Sequence, residues 1–191
     1  MLSTDIRDLF DKNGFVGPIN VLTLEESQAA WKQVQEELAK EDSSRFKLHL
    51  ILPAISKIAH HPVLVRAVQE ALGSPDIWLW SSDINIKQPN SPGFFAPHQD
   101  ATYAGLSPSN KTLTAWVALS DPVGESEGCL SFYPGSHKGG QIHHETRRSE
   151  SADNNLLSLG QFIPDTLMKQ LENSTAVAIP LRAGQATFHS F

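Results

Sequence analysis

From residue 77 onward the apolar residues come in short runs, each cut off by Gly, Pro, Asn or Asp. The segment IWLWSSDINIKQ, residues 77–88, alternates and is rich in Trp and Ile, so it reads as a strand. Further runs occupy residues 95–103, 112–120 (TLTAWVALS), 128–133 (GCLSFY), 175–181 (TAVAIPL) and 186–191 (ATFHSF). The first third has a different texture. Ile6, Leu9 and Phe10 recur at helical spacing over residues 3–12, and Asn13-Gly14 ends the run. An extended piece over 15–21 follows. Thr23 then caps a second helix, with Glu26 completing a capping box, and Ala29, Val34 and Leu38 form its apolar stripe up to Ala39. A third helix spans 62–72 and stops at Gly73. Residues 41–61 carry no clear period. Helices first and many short strands after predict an antiparallel double sheet with helices packed on one outer face. One domain over residues 1–191 is expected: 1–75 as mostly helical support and 76–191 as the β core.

Composition narrows the function. The chain has 191 residues, 40% of them hydrophobic, and a formal charge of −6. No Lys/Arg cluster is large enough to suggest a nucleic-acid or membrane-surface partner. No apolar run approaches the length of a membrane span, and the acidic start, with Asp5, Asp8 and Asp11, lacks a signal-peptide core. Cys129 is the single cysteine, so no internal disulfide forms, which fits a reducing compartment. A cytoplasmic protein acting on a small molecule is the expectation. Nothing in the sequence fixes its oligomeric state.

The chemistry concentrates in PHQDATY, residues 97–103. If this piece is a strand, His98 and Asp100 point to one face. One nitrogen and one carboxylate oxygen from a single short segment are two thirds of a 2-His-1-carboxylate site. His189, His137, His143 and His144 are the candidates for the second nitrogen. Alone, His-x-Asp is a weak signal, and a surface His beside a solvated Asp explains it too.

Four linked segments sharpen it. APHQDATY, LTAWVALSD (113–121), EGCLSFYPGSHKGG (127–140) and LRAGQATFH (181–189) together resemble the phytanoyl-CoA dioxygenase family. The resemblance implies a double-stranded β-helix, a cupin-like jelly roll with flanking helices. It implies Fe(II), with 2-oxoglutarate as cosubstrate and O2 as oxidant. His98 and Asp100 would ligate iron, and Gln99 and Trp116 would contact 2-oxoglutarate. The implied reaction is hydroxylation of a C–H bond in a small organic or acyl substrate, coupled to decarboxylation of 2-oxoglutarate to succinate. Asp100 stands where related halogenases carry a small residue, which favours hydroxylation. One departure matters. The family's third ligand, a second His, would fall just past Phe191, and an Arg for the far carboxylate of 2-oxoglutarate further still. The chain therefore reads as a piece of a longer protein with an incomplete jelly roll, with His189 as a substitute ligand or as a His beside the metal. A non-catalytic jelly-roll ligand-binding module, or an inactive fragment, is the alternative. A cupin-type isomerase or hydrolase fits the His pattern less well.

Other residues carry weaker expectations. Lys87 reads as a solvated strand-end Lys, or as a contact for an anion. Lys47 and His49 are candidates to reach 2-oxoglutarate from the helical layer, and Ser82 and Asn85 read as pocket residues or as a solvated sheet face. Tyr103 lines a pocket or packs in the core. Ser136 and His137 are expected to hold a bend, His143 and His144 to shape a substrate-side loop, and Arg147 and Arg148 to be solvated. Cys129 reads as a small buried hydrophobe, and Trp78 and Trp80 as sheet packing.

Overall fold

A computed structural model describes residues 4–88, 90–121, 124, 128–146, 154–157, 160–169 and 175–191. The predicted Arg147 and Arg148 fall outside the described residues.

The helical third forms as its caps dictate. Helix α1 spans Thr4–Asn13 and is followed directly by strand β1, Phe15–Asn20. Helix α2, Leu24–Leu38, opens on a complete capping box: the Glu26 amide donates to Thr23 Oγ1 at 3.2 Å, and the Thr23 amide to Glu26 Oε2 at 3.0 Å. Its buried stripe is Ser27, Ala30, Val34 and Glu37, one position away from the expected Ala29, which is exposed. The Ser27 hydroxyl explains the rotation. It donates to the Ala118 and Leu119 carbonyls, each at 3.3 Å, and so turns that edge of the helix onto the sheet. The unassigned stretch 41–61 holds a 3₁₀ turn, Leu48–Leu50, and helix α3, Pro53–Ala59. Helix α4, Pro62–Leu72, starts on a proline and ends on Gly73 in the left-handed region.

Further along come helix α5 (Ala101–Ala104) and strands β2 (Leu113–Val117), β3 (Ser131–Phe132), β4 (Glu145–Thr146) and β5 (Gln161–Phe162), then helix α6 (Asp165–Met168) and strand β6 (Val177–Ala178). Strand β7, Gln185–Ser190, is the centre of the fold. It pairs antiparallel with β1 on one side and β2 on the other, matching His189 to both Phe15 and Thr114. Alternation divides its side chains. Ala186 and Phe188 are fully buried in the main core, with Phe10, Val16, Leu64, Ala67 and Ala71. Leu113, Ala115 and Val117 of β2 join them from the same side. Thr187 and His189 therefore face the other way, as do Thr114 and Trp116. The helical layer covers one face of this sheet, and the opposite face is left for chemistry.

Two expected strands are not strands. Residues 77–88 run without regular structure. They meet the 45–48 segment through two backbone bonds, Leu48 N–H to Ser82 O at 3.0 Å and Ile84 N–H to Arg45 O at 3.1 Å. An alternating pattern needs a continuous neighbour to become a ladder, and two bonds are not one. Trp78 is 95% exposed, so it is not packed on a sheet, while Trp80 stands edge-on to Phe191 at 6.4 Å. Residues 95–103 form a turn running into α5 instead. The remaining strand pairs, β3 with β6 and β4 with β5, are short, and the described strands form three antiparallel sheets without closing a barrel. No helix among the described residues is long and apolar enough to cross a membrane.

Gly184 anchors the turn into β7. Its φ is +86°, and a Cβ there would sit 2.5 Å from the Leu22 carbonyl oxygen, while its own carbonyl accepts from the Val21 and Leu22 amides. Gly184→Ala is expected to cost about 1–3 kcal/mol, from backbone strain and that clash. Urea unfolding measures it, and an unchanged midpoint would refute the tight turn.

Candidate metal centre

Three imidazole or carboxyl groups and one hydroxyl meet on the open face of the sheet. The turn before α5 is fixed first: the Ala96 amide donates to Asn155 Oδ1 at 3.3 Å and the Ile163 amide to the Pro97 carbonyl at 3.1 Å. His98 then folds back so that its Nδ1 lies 2.7 Å from the Ala96 carbonyl oxygen. Asp100, with helical φ and ψ at the head of α5, sends its carboxylate to the sheet and is 7% exposed. Oδ1 lies 3.2 Å from His98 Nε2, and Oδ2 lies 3.3 Å from His189 Nε2. Thr114 Oγ1 also donates to Oδ2.

The expected convergence of His98 and Asp100 is present, but a turn produces it, not a strand. Burial alone would raise the Asp100 pKa; the bonds from His189, His98 and Thr114 overcome it and hold the carboxyl well below its ordinary value. Burial opposes charging of His98, yet the Asp100 carboxylate outweighs it and raises the imidazole above its usual value. Tyr103, at the tilted distance of 6.3 Å from the His98 ring, is pushed up by burial and then by the Asp100 charge.

This geometry fits a cation. A carbonyl only accepts, so His98 Nδ1 carries a ring proton, and Nε2 is the nitrogen that faces the ionised carboxylate oxygen. The place between them takes a positive centre: a second ring proton, which the raised pKa of His98 favours in the metal-free chain, or a metal ion in its stead. Donor atoms on cis positions of one metal, with bonds of about 2.1 Å, stand about 3 Å apart. The observed 3.2 Å is close to that. Among the described residues no group of three or more His, Cys, Asp or Glu has a ready metal-holding arrangement, and His189 is recorded against Oδ2, the oxygen other than the one that faces His98.

The other expected site residues separate. Trp116 lies one pleat along from Thr114 on the same face, opposite Thr187, and packs with Ala118 and Leu181. Cys129 packs against the same pair, half-buried. The Gln99 amide turns away from the sheet. Its nitrogen donates to the Gly140 carbonyl at 3.0 Å and its oxygen accepts the Ile142 amide at 2.7 Å. His144 completes this strap. Its Nε2 accepts the Gln99 amide at 2.9 Å, and its Nδ1 donates to the Ile142 carbonyl at 2.7 Å. Burial, with the charges of His98 and His143, lowers the His144 pKa and keeps that nitrogen an acceptor. Of the adjacent His pair, then, the second is the one that reaches the His98–Asp100 turn. Thr114 was not singled out by the sequence reading, although its alternation with Trp116 in LTAWV was the available signal.

Several weaker expectations resolve elsewhere. His49 bonds Ser82 through both its amide, at 2.9 Å, and its ring, at 2.7 Å, and the Lys47 amide meets Asp83 at 3.4 Å. Asn85 is exposed, as is Lys87, whose ammonium lies against Gly128. His137 does not hold its own bend: Nε2 lies 3.2 Å from the Asp11 carbonyl oxygen and the ring presses on Gly14, tying the 135–139 turn to the end of α1.

Comparison with known proteins bears on the family of the chain. Phytanoyl-CoA dioxygenase domain-containing protein 1 of Danio rerio is 32% identical over 139 residues, 73% of this chain and 45% of that protein. The chain thus spans less than half the length of that relative. The solved structure of the non-heme monooxygenase ThoJ, in its apo form, superposes with a TM-score of 0.77 at 28% identity, covering 97% of this chain and 68% of the other. The non-heme alpha ketoglutarate dependent carbocyclase SnoK from nogalamycin biosynthesis also gives 0.77, at 27% identity, covering 99% and 75%. The family model described as Phytanoyl-CoA dioxygenase (PhyH) matches residues 10–191, and the chain belongs to that family.

Proposed function

We propose that this chain is the greater part of the catalytic domain of an Fe(II)- and 2-oxoglutarate-dependent dioxygenase that hydroxylates a C–H bond of a small organic or acyl substrate. The observation that carries the reading is the buried pair of His98 Nε2 and Asp100 Oδ1, 3.2 Å apart, with Nδ1 of His98 spent on the Ala96 carbonyl. The ThoJ and SnoK likenesses support oxygen chemistry on this fold, and their different reactions leave hydroxylation as part of the proposal. The same likenesses favour a jelly roll for the whole protein. When bound, Fe(II) with 2-oxoglutarate and O2 supplies the oxidising power, releasing succinate and CO2 and placing one oxygen atom in the substrate.

The chain's own residues do the rest. His98 and Asp100 hold two cis positions. Asp100 keeps the place that a halide would need, which favours hydroxylation. The Gln99 and His144 strap fixes the turn that carries both ligands. Trp116 lies on the same face of the sheet, where its indole forms an apolar wall for a cosubstrate. The acidic balance and single cysteine favour the cytoplasm. A jelly-roll module that binds a small ligand without turnover is the second reading, favoured by the lack of a ready three-residue metal group among the described residues.

Anaerobic titration of the chain with Fe(II) and 2-oxoglutarate separates the two. A weak visible band at stoichiometric iron, present only when both are added, is the expected result. A chain that retains neither iron nor 2-oxoglutarate at any concentration tested would sink the catalytic reading.

A further inference from the structure

The two oxygens of Asp100 are not equivalent. Oδ2 has two partners on the sheet, the Thr114 hydroxyl and His189 Nε2. Oδ1 faces His98 Nε2 at 3.2 Å, the nitrogen opposite the one spent on the Ala96 carbonyl, and the Tyr103 hydroxyl also bonds the carboxylate. His189 is itself held on both sides, in register with Phe15 of β1 and Thr114 of β2, and its ring lies 5.2 Å from that of Phe132. Its other nitrogen, Nδ1, is buried without a hydrogen-bond partner among the described residues. A ring whose single accessible partner is a carboxylate oxygen places its proton on the nitrogen facing that oxygen. An N–H at the buried Nδ1 would be left unsatisfied, whereas a bare nitrogen there costs less.

We infer that His189 is a positioning residue and not a metal ligand: together with Thr114 it occupies Asp100 Oδ2, so that Oδ1 alone is presented, beside His98 Nε2, to one cation. The inference rests on the proposed metal site and specifies how it binds. The carboxylate is monodentate, and its orientation is set from the central strand of the sheet. His189 keeps its proton on Nε2 in the metal-free and the metal-bound protein alike. The third nitrogen donor of a facial triad then comes from a residue other than His189.

Nitrogen-15 NMR of the imidazole rings in the 191-residue chain tests this, with Zn(II) as a diamagnetic probe. The metal-free chain is expected to show His189 as the Nε2–H tautomer. Zn(II) is expected to move the Nε2 resonance of His98 and leave both His189 nitrogens where they were. His189→Gln keeps an amide N–H near the place of Nε2 and is expected to hold Zn(II) affinity within about 3-fold, whereas His189→Leu loses about 10-fold or more, as removal of an outer hydrogen-bond partner does. A Zn(II)-induced shift of a His189 nitrogen equal to that of His98 overturns the inference. So does a His189 Nδ1–H tautomer, or a glutamine variant as weak as the leucine one. If Zn(II) moves neither ring, the metal reading at His98 fails, and the tautomer in the metal-free chain still decides the role of His189 separately.

Discussion

Replacing Asp100 with alanine is expected to abolish turnover and to weaken Fe(II) binding by at least about 100-fold, since loss of outer-shell partners alone costs about 10–100-fold. Asp100 is a buried residue that touches His98, His189 and Thr114 and bonds the Tyr103 hydroxyl. Its removal takes away a donor oxygen and the negative charge that offsets the cation, and leaves these polar groups facing a hole. Asp100→Asn keeps the shape and drops the charge, so it separates charge from packing. Metal titration and succinate release are the two readouts, and a variant with wild-type succinate release would eliminate Asp100 as a ligand. The metal-free chain has a pH signature as well. The Asp100 pKa is depressed by folding, so its contribution to stability is present above the unfolded value near 3.9 and is lost as the pH falls below it. His98 is shifted upward, so its contribution is present below about 6.5 and is lost as the pH rises through its folded pKa. Asp100→Asn should remove both slopes, and parallel wild-type and variant stability curves would contradict the pairing.

Phe188→Ala is the change expected to cost most in stability. Phe188 is 0% exposed on the central strand, with core residues from α1, β1 and α4 around it and Ala115 of β2 beside it. Truncating a buried Phe costs about 3–5 kcal/mol, through lost burial and the cavity left behind. Domains of ordinary stability have about 5–15 kcal/mol in total. A chain of this size loses about 2–4 °C of Tm per kcal/mol, so a fall of about 10 °C or outright failure to fold is expected. Thermal melting followed by circular dichroism checks it. A Tm within about 3 °C of the wild type would mean that the β7 core is not the principal one. His189, next in sequence but on the other face, should lose its hold on Asp100 in the same variant.

The sequence made the helical third legible because its signals are local. The Thr23–Glu26 box, Gly73 and the Asn13-Gly14 stop all act within one turn, and each element they bound is present. The pairing of β1 with β7 was hidden, because nothing near Phe15 marks its partner as Phe188 and His189. Residues 77–88 misled for the converse reason: alternation is a property of the segment, but a ladder is a property of two segments. At the centre, His98 and Asp100 were visible as a motif, and their meeting followed from a turn that the motif alone does not specify. Thr114 and His144 reach the centre only through strand register and through a loop that folds back across 42–45 residues, a distance no spacing rule spans.

The middle position of β7 also sets an order of events during synthesis. Its neighbours are made long before it: Gln185 bonds Asn20 from 165 residues away. Until residues 185–190 leave the ribosome, the slot between β1 and β2 stays open, with apolar side chains on one side and unpaired backbone on both edges. Contacts this distant in sequence form slowly, and a nascent chain waiting for them is a natural client for chaperones. His98 and Asp100 are exported early, yet Asp100 is not oriented until His189 arrives. A metal that reaches the nascent chain before then meets a floppy pair, and a metal that reaches the finished sheet meets a fixed one.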